Sequence, residues 1–234
     1  MATNIGWCWA GGLPELLVLE PERIKTPKIV NKEYNKRGII DCPSYQGFYS
    51  NMFVLKSPIA FDVEPQDGTV RITSKEVEEQ ELHSLFVVHR PEEMYDTKKP
   101  MFQLNLNYLF VADEPCLMEI LPPFMHDDKF PGEVVGGSFN IHSWIRTISW
   151  GFVFNSTRTK LSIKRGDPLC YIKFTTPNLT NKVSLDECIL TDELKRELDR
   201  KRFLTNFKKG GIINLMSRAL KLRPKKLIKK EPRI

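Results

Sequence analysis

Residues 102–108 read FQLNLNY, with an apolar side chain at every second position and glutamine or asparagine between them. Because successive side chains of a strand point to opposite faces, this alternation predicts a strand with one buried and one solvated face. The strand is expected to run on to residue 112. This segment therefore predicts a fold that contains β-sheet.

Further strands are predicted on both sides of it. Residues 85–89 and 117–121 are short apolar runs bounded by proline or charged turns. Asp67-Gly68 between two alternating segments is typical of a hairpin, and Arg165-Gly166-Asp167-Pro168 is typical of a turn between strands. The sequence predicts a mainly β protein, a sandwich or β-clip-like barrel with a C-terminal helical appendage.

A helix is predicted after Pro177. Thr191 can cap it, and Asp192 and Glu193 in its first turn suit the positive end of the helix dipole. Leucines recur there at four-residue spacing, at Leu190, Leu194 and Leu198. A second apolar stripe over residues 212–220 predicts another helix, separated from the first by Gly210-Gly211.

Three segments follow from this pattern. Residues 1–50, punctuated by prolines, are expected to form an extended N-terminal arm with little regular helix. Residues 51–176 are expected to form the β-domain, and residues 177–234 a helical, basic C-terminal tail. Composition is that of an ordinary globular chain, with 41% hydrophobic and 27% charged residues, which excludes global disorder.

Charge is concentrated at the C-terminus. Residues 203–234 hold ten lysines and arginines against one acid, so the rest of the chain is slightly acidic although the whole carries +6. Such a tail can neutralise phosphates or acidic side chains. The predicted partner is anionic, a nucleic acid or an acidic protein surface, and an anionic lipid is a further option. The predicted contact residues are Lys208, Lys209, Arg218, Lys221, Arg223, Lys225, Lys226, Lys229 and Lys230.

Five cysteines, widely spaced and without a C-x-x-C pair, indicate a reducing compartment and no disulfide framework. The expected location is the cytoplasm of a host cell, or the virion. The apolar residues 5–19 lack a basic leader and are interrupted by glycine and proline, so no signal peptide is expected. No transmembrane segment is expected either, whereas oligomerisation stays open.

Residues 122–174 carry a resemblance. Pro122-Pro123, residues 136–142 (GGSFNIH) and residues 164–172 (KRGDPLCYI) resemble an uncharacterised family of proteins from tailed phages and bacteria. The family pattern is a Pro-Pro segment, a glycine-containing hairpin and a closing turn and strand. This resemblance implies a phage-type structural protein.

The same pattern is similar to the β-clip hairpin of dUTPase-like proteins, in which a carboxylate and an aromatic ring bind the sugar and orient water. Here Asn140 stands where the resemblance implies an aspartate, and Ser143 and Trp144 lie near the implied tyrosine. An amide cannot accept the proton that a general base must take. The resemblance thus implies a fold without nucleotide hydrolysis, and leaves Asn140, His142 and Trp144 as candidate ligand-binding residues.

His126, Asp127 and Asp128 form an H-x-D sequence, which in Fe(II) oxygenases supplies two of the three metal ligands. The third ligand would be a distal histidine, and the only later one is His142. His126 and Asp128 are therefore candidate metal ligands. The alternative interpretation is that these residues form a solvated acidic turn. No cofactor is predicted.

Other catalytic motifs are missing from the sequence. It contains no G-x-S-x-G nucleophile turn and no glycine-rich phosphate loop, so no catalytic residue is predicted. His83 and His89 are interpreted as lying at the ends of one strand, too far apart to share a metal. The leading hypothesis is a non-catalytic structural or interaction protein acting through its basic tail. The alternative is an enzyme on the same β scaffold, oxygenase-like or dUTPase-like.

Overall fold

The computed structural model describes residues 2–11, 17–25, 41–66, 68–90, 99–126, 129–155, 159–207, 217, 220–221 and 223–230. The protein is mainly β, as predicted, and its curled sheets form a half-barrel. The strands of the described residues are β1 (Ala2–Trp9), β2 (Glu22–Arg23), β3 (Met52–Lys56), β4 (Phe61–Gln66), β5 (Thr69–Thr73), β6 (Phe86–Val88), β7 (Met101–Ala112), β8 (Leu117–Leu121), β9 (Gly132–Val134), β10 (Gly137–Asn140), β11 (Thr147–Phe154), β12 (Leu161–Ile163), β13 (Pro168–Thr175) and β14 (Lys182–Glu187). The helices of the same residues are α1 (Pro43–Tyr49), α2 (Glu79–Leu85) and α3 (Asp192–Phe207).

The first sheet has the order β14-β1-β7-β11-β9, with β6 also paired to β7. Its pairs are antiparallel except for β1 and β14, which run parallel. A second sheet has the order β10-β8-β13-β3-β2, and a third has the order β12-β4-β5. The hairpin predicted around Asp67-Gly68 is confirmed by the β4–β5 pair, and Gly68 adopts the positive φ of 78° that its turn requires.

Strand β7 explains how the layers are arranged. Phe102, Leu104 and Leu106 are buried as predicted, and the alternating polar residues up to Asn107 are half-buried. From Tyr108 onwards every residue of β7 is buried, so Leu109 and Val111 meet a covering layer on the face that is polar earlier in the strand. The prediction of one solvated face therefore holds only for the first half of the strand.

The main core lies between the sheets and is rich in aromatic rings. Trp150 on β11 is completely buried, and its ring centroid lies 5.7 Å from that of Phe102 and 5.6 Å from that of Phe152. Its indole Nε1 donates a hydrogen bond to the Leu169 carbonyl at 2.8 Å. This bond joins the first sheet to the second one at the centre of the molecule.

A second, smaller core covers the far side of the first sheet. Helix α3 begins after Thr191, whose hydroxyl accepts a hydrogen bond from the Leu194 amide at 3.2 Å, so the predicted cap is confirmed. Leu194 and Leu198 are buried against the second half of β7. Leu227, close to the C-terminus, joins the same cluster.

One expectation about chain organisation is corrected. Strands β1 and β14 lie outside residues 51–176 yet belong to the first sheet, so β1 is an inner strand and not a detached arm. The first fifty residues also contain helix α1, which begins at Pro43 because proline has its φ preset for the first turn of a helix.

Within the described residues, no helix has both the length and the apolar character needed to cross a membrane.

Candidate functional site

The turn that follows β10 holds the three predicted ligand-binding residues. The Asn140 side-chain oxygen accepts hydrogen bonds from the backbone amides of His142, at 3.1 Å, and Ser143, at 3.3 Å. The Asn140 carbonyl accepts the Trp144 amide at 2.8 Å. Asn140 therefore builds the turn with its own amide oxygen, an Asx turn that an aspartate could also form.

The three residues differ in their exposure to solvent. Asn140 is exposed, whereas Trp144 is buried, with 6% of its surface exposed. His142 is half-buried, and its Nδ1 lies 3.2 Å from the Ala112 carbonyl at the end of β7. Because a carbonyl only accepts, Nδ1 carries the proton there. Burial lowers the pKa of His142 from its ordinary value, and the nearby positive charge of Arg223 lowers this pKa further, against the opposing effects of the Ala112 hydrogen bond and Asp113.

Arg223 is also directed at Ala112. Its side chain is 2% exposed, and Nη2 donates to the Ala112 carbonyl at 2.7 Å and to Asp113 Oδ1 at 3.3 Å. Burial lowers the pKa of Arg223, while the negative charge of Asp113 favours the charged form. Arg223 was predicted as a surface contact; instead its guanidinium faces the interior, where it holds the C-terminal segment to the body.

Asp113 fastens the same segment a second time. Its Oδ1 accepts the backbone amide of Leu227 at 2.8 Å, and the Leu227 side chain is buried in the second core. Farther along, the Ile189 amide donates to the Lys229 carbonyl at 2.9 Å, and Lys230 pairs with Asp186 at 2.8 Å. Residues 223–230, called here the docked segment, thus lie along the end of β14 as part of the fold.

The docked segment leaves lysines at the surface. Lys225, Lys226 and Lys229 are exposed and make no ion pair with any residue that the structure describes. Lys221, just before the segment, is exposed as well. The other predicted contacts, Lys208, Lys209 and Arg218, and most of the second predicted helix, fall outside the described residues.

The structure describes one of the two candidate metal residues. His126 is exposed in the turn after β8, where its amide donates to the Pro123 carbonyl, and Asp128 lies outside the described residues. The described part of the chain contains no group of three or more histidine, cysteine or acidic side chains that could hold a metal ion. His83 and His89 do not share a strand, because His83 belongs to α2 and His89 follows β6.

Sequence reasoning did not find the cavities. One of about 520 Å³ lies between β5, α2 and β6, and one of about 540 Å³ lies beside α1 and the start of β14. A third, of about 270 Å³, lies at the ends of β1 and β14 and contains Cys8 and Cys188. None of these three is lined by Asn140, His142 or Trp144.

Two groups that matter to the site were also missed. Asp113 gives no signal in the sequence, because its role depends on a segment more than a hundred positions away. Cys8 and Cys188 are brought side by side only by the parallel pairing of β1 with β14.

No protein-family model matches the chain, and no curated protein matches it at a significant level.

Proposed function

We propose that this is a non-catalytic structural or interaction protein that attaches to an anionic partner through the lysines of the docked segment. The observation that supports the proposal is that the side chains of this segment point in two opposite directions. Arg223 and Leu227 face the body, whereas Lys225, Lys226 and Lys229 face outwards. Because the anchors already hold the backbone of this segment in one conformation, binding a partner costs less conformational entropy than it would for a free tail.

The partner class is a polyanion, a nucleic acid or an acidic protein surface. Exposed ammonium groups that contact phosphates give an attraction independent of sequence and strongly weakened by salt. The proposed setting is the phage-type assembly implied by the resemblance of residues 122–174, in a host cytoplasm or in the virion. A role in assembly also accommodates self-association, which stays part of this proposal.

The test is binding of the full chain to a fluorescent duplex DNA across a series of salt concentrations. The informative variant is Lys225→Gln/Lys226→Gln/Lys229→Gln, which removes three charges and leaves both anchors in place. The plot of log affinity against log salt has a negative slope, and each phosphate contact contributes about 0.9 to its magnitude. We therefore expect the magnitude of the slope to be smaller by about 2 to 3 in this variant.

The matched control is Lys25→Gln/Lys75→Gln/Lys164→Gln, which removes three exposed lysines that lie outside the docked segment. We expect this control to bind DNA with nearly the wild-type slope. Equal losses in the two triple variants would show that only net charge matters and would refute a defined contact surface. Binding to polyglutamate with higher affinity than to DNA would instead favour an acidic protein as the partner.

A further inference from the structure

Cys8 and Cys188 face each other across the parallel pair of β1 and β14. The register joins Gly6 to Asp186 and Trp7 to Glu187, so the next position on each strand is a cysteine. The Cys188 amide continues the ladder by donating to the Trp7 carbonyl at 2.8 Å. Neighbouring strands lie about 4.8 Å apart, within the range of about 4.4 to 6.8 Å that a disulfide spans between its Cα atoms.

Both side chains lie on the same face of the sheet. Each is buried in the second core. The proximity of the two thiols lowers the pKa of Cys188 and raises the pKa of Cys8, because they share one proton, while burial opposes the ionisation of both. The strand pairing therefore places two thiols where a single oxidation can join them.

Burial normally makes a cysteine inert, but here a cavity lies beside the strand ends that carry the two cysteines. It measures about 270 Å³ and is walled by the indoles of Trp7 and Trp9, together with Glu20 and residues 187–190. A molecule as small as a hydroperoxide fits in that space. The other free cysteines of the described residues lack this arrangement, since Cys116 and Cys170 are buried singly and Cys42 is exposed on its own.

We propose that Cys8 and Cys188 form an oxidisable dithiol site whose co-reactant is a hydroperoxide, with hydrogen peroxide as the simplest member of that class. The Cys188 thiolate attacks one peroxide oxygen, the O–O bond breaks, and the departing hydroxide takes up the proton released by Cys188 to leave as water. The Cys8 sulfur then attacks the Cys188 sulfenic acid, the S–O bond breaks, and the hydroxyl leaves with the Cys8 proton as a second water. The two sulfurs lose two electrons, and one peroxide is reduced to two waters.

The site lies directly beneath the docked segment. Cys188 forms an antiparallel bridge with Lys230, and a Cβ placed on Gly6 would lie 2.9 Å from Cys188 Sγ and 3.3 Å from Ile228 Cγ1. The disulfide would tie the first strand to the strand end on which the docked segment rests. It would thereby stabilise the platform of the C-terminal segment, whether or not that segment binds a polyanion.

The test uses the full wild-type chain, reduced and then exposed to hydrogen peroxide. Remaining thiols are alkylated after unfolding, and the digest is analysed by mass spectrometry. We expect a linked peptide pair containing Cys8 and Cys188, lighter by about 2 Da than the two reduced peptides, and full alkylation of Cys116 and Cys170. Alkylation of Cys8 and Cys188 to the same extent as Cys116 would overturn the proposal, as would a disulfide that joins only Cys42 of two chains.

A thermal melt provides a second readout. The oxidised wild type should melt at a higher temperature than the reduced protein, because the bond constrains the unfolded chain. In Cys8→Ser/Cys188→Ser the same treatment should leave the melting temperature unchanged, whereas Cys116→Ser should keep the wild-type increase. An increase that persists in the double variant would refute the assignment. Because the peptide mapping needs no variant, it decides the question even where a substitution prevents folding.

Discussion

His142 and Arg223 share one acceptor, the carbonyl oxygen of Ala112, at 3.2 Å from His142 Nδ1 and 2.7 Å from Arg223 Nη2. This relationship joins two regions that the sequence presents as separate, the turn after β10 and the basic C-terminus. Both side chains therefore contact the end of β7. The end of β7 is the point at which turn, sheet and docked segment meet.

The first prediction concerns the Arg223 anchor. Replacing Arg223 with methionine removes the partner of Asp113 and leaves the Ala112 carbonyl with fewer donors. We expect the free energy of unfolding to fall by about 3 kcal/mol, towards the low end of what breaking a buried pair costs, because Asp113 keeps 26% of its side chain exposed. Urea denaturation measures this loss.

Arg71→Met is the matched control for that variant, since Arg71 lies on β5 with an exposed side chain. Its unfolding free energy should stay within about 0.5 kcal/mol of the wild-type value. A loss in Arg223→Met no larger than in this control would mean that the docked segment contributes little to the stability of the fold.

The second prediction is a dependence of stability on pH through His142. Its pKa in the folded protein is below the ordinary value of 6.5, chiefly because of burial. Between the folded pKa and 6.5 the unfolded chain binds more protons than the folded one, so the free energy of unfolding rises with pH there. We therefore expect the contribution of neutral His142 to the free energy of unfolding to be fully present above pH 6.5. This contribution should be lost as the pH falls from 6.5 through the folded pKa.

His142→Asn isolates this contribution, because the asparagine amide can occupy the place of Nδ1 and donate to Ala112 without titrating. The difference in slope between wild type and variant should be positive and no greater than about 1.4 kcal/mol per pH unit, the limit for one proton. Urea denaturation at intervals from pH 5 to 8 measures it. Identical slopes in the two proteins would contradict a lowered pKa for His142.

The sequence predicted the β class because most of its strands carry local signals. Residues 102–108 alternate, and Gly68 and Gly166 mark turns with φ values of 78° and 88°. The end of β7 also carries a signal: residues 109–112 read LFVA, and a continuous apolar run indicates burial on both faces. That run could have predicted a layer over the far side of the first sheet.

The arrangement around the docked segment could not be predicted in the same way. Charge patterning identifies basic residues, but it does not distinguish Arg223, which pairs internally, from Lys225, which is exposed. The distinction depends on Asp113, whose position opposite the segment is set by tertiary packing. For the same reason, the pairing of β1 with β14 hides the neighbouring cysteines from any count of sequence spacing.

The third prediction tests the bond that joins the two larger sheets. Trp150→Phe keeps an aromatic ring in the main core but removes the donor to the Leu169 carbonyl and leaves a small void. We expect a loss of about 2 to 3 kcal/mol in the free energy of unfolding. Trp9→Phe is the control at a half-buried position, and its loss should be smaller. Comparable losses would indicate that the hydrogen bond adds nothing to ring packing.

The fourth prediction compares two glycines that differ in what surrounds them. A Cβ on Gly6 would lie 2.9 Å from Cys188 Sγ, closer than real side chains approach, whereas a Cβ on Gly47 meets nothing within 4 Å. Gly6→Ala should therefore lower the free energy of unfolding by about 1 to 3 kcal/mol through overpacking. Gly47→Ala, within helix α1, should raise it by about 0.5 to 1 kcal/mol, because alanine restricts the unfolded chain and favours helix. Urea denaturation of both variants gives the two signs directly. A Gly6→Ala protein as stable as wild type would show that Cys188 and the docked segment shift to admit a methyl group at little cost.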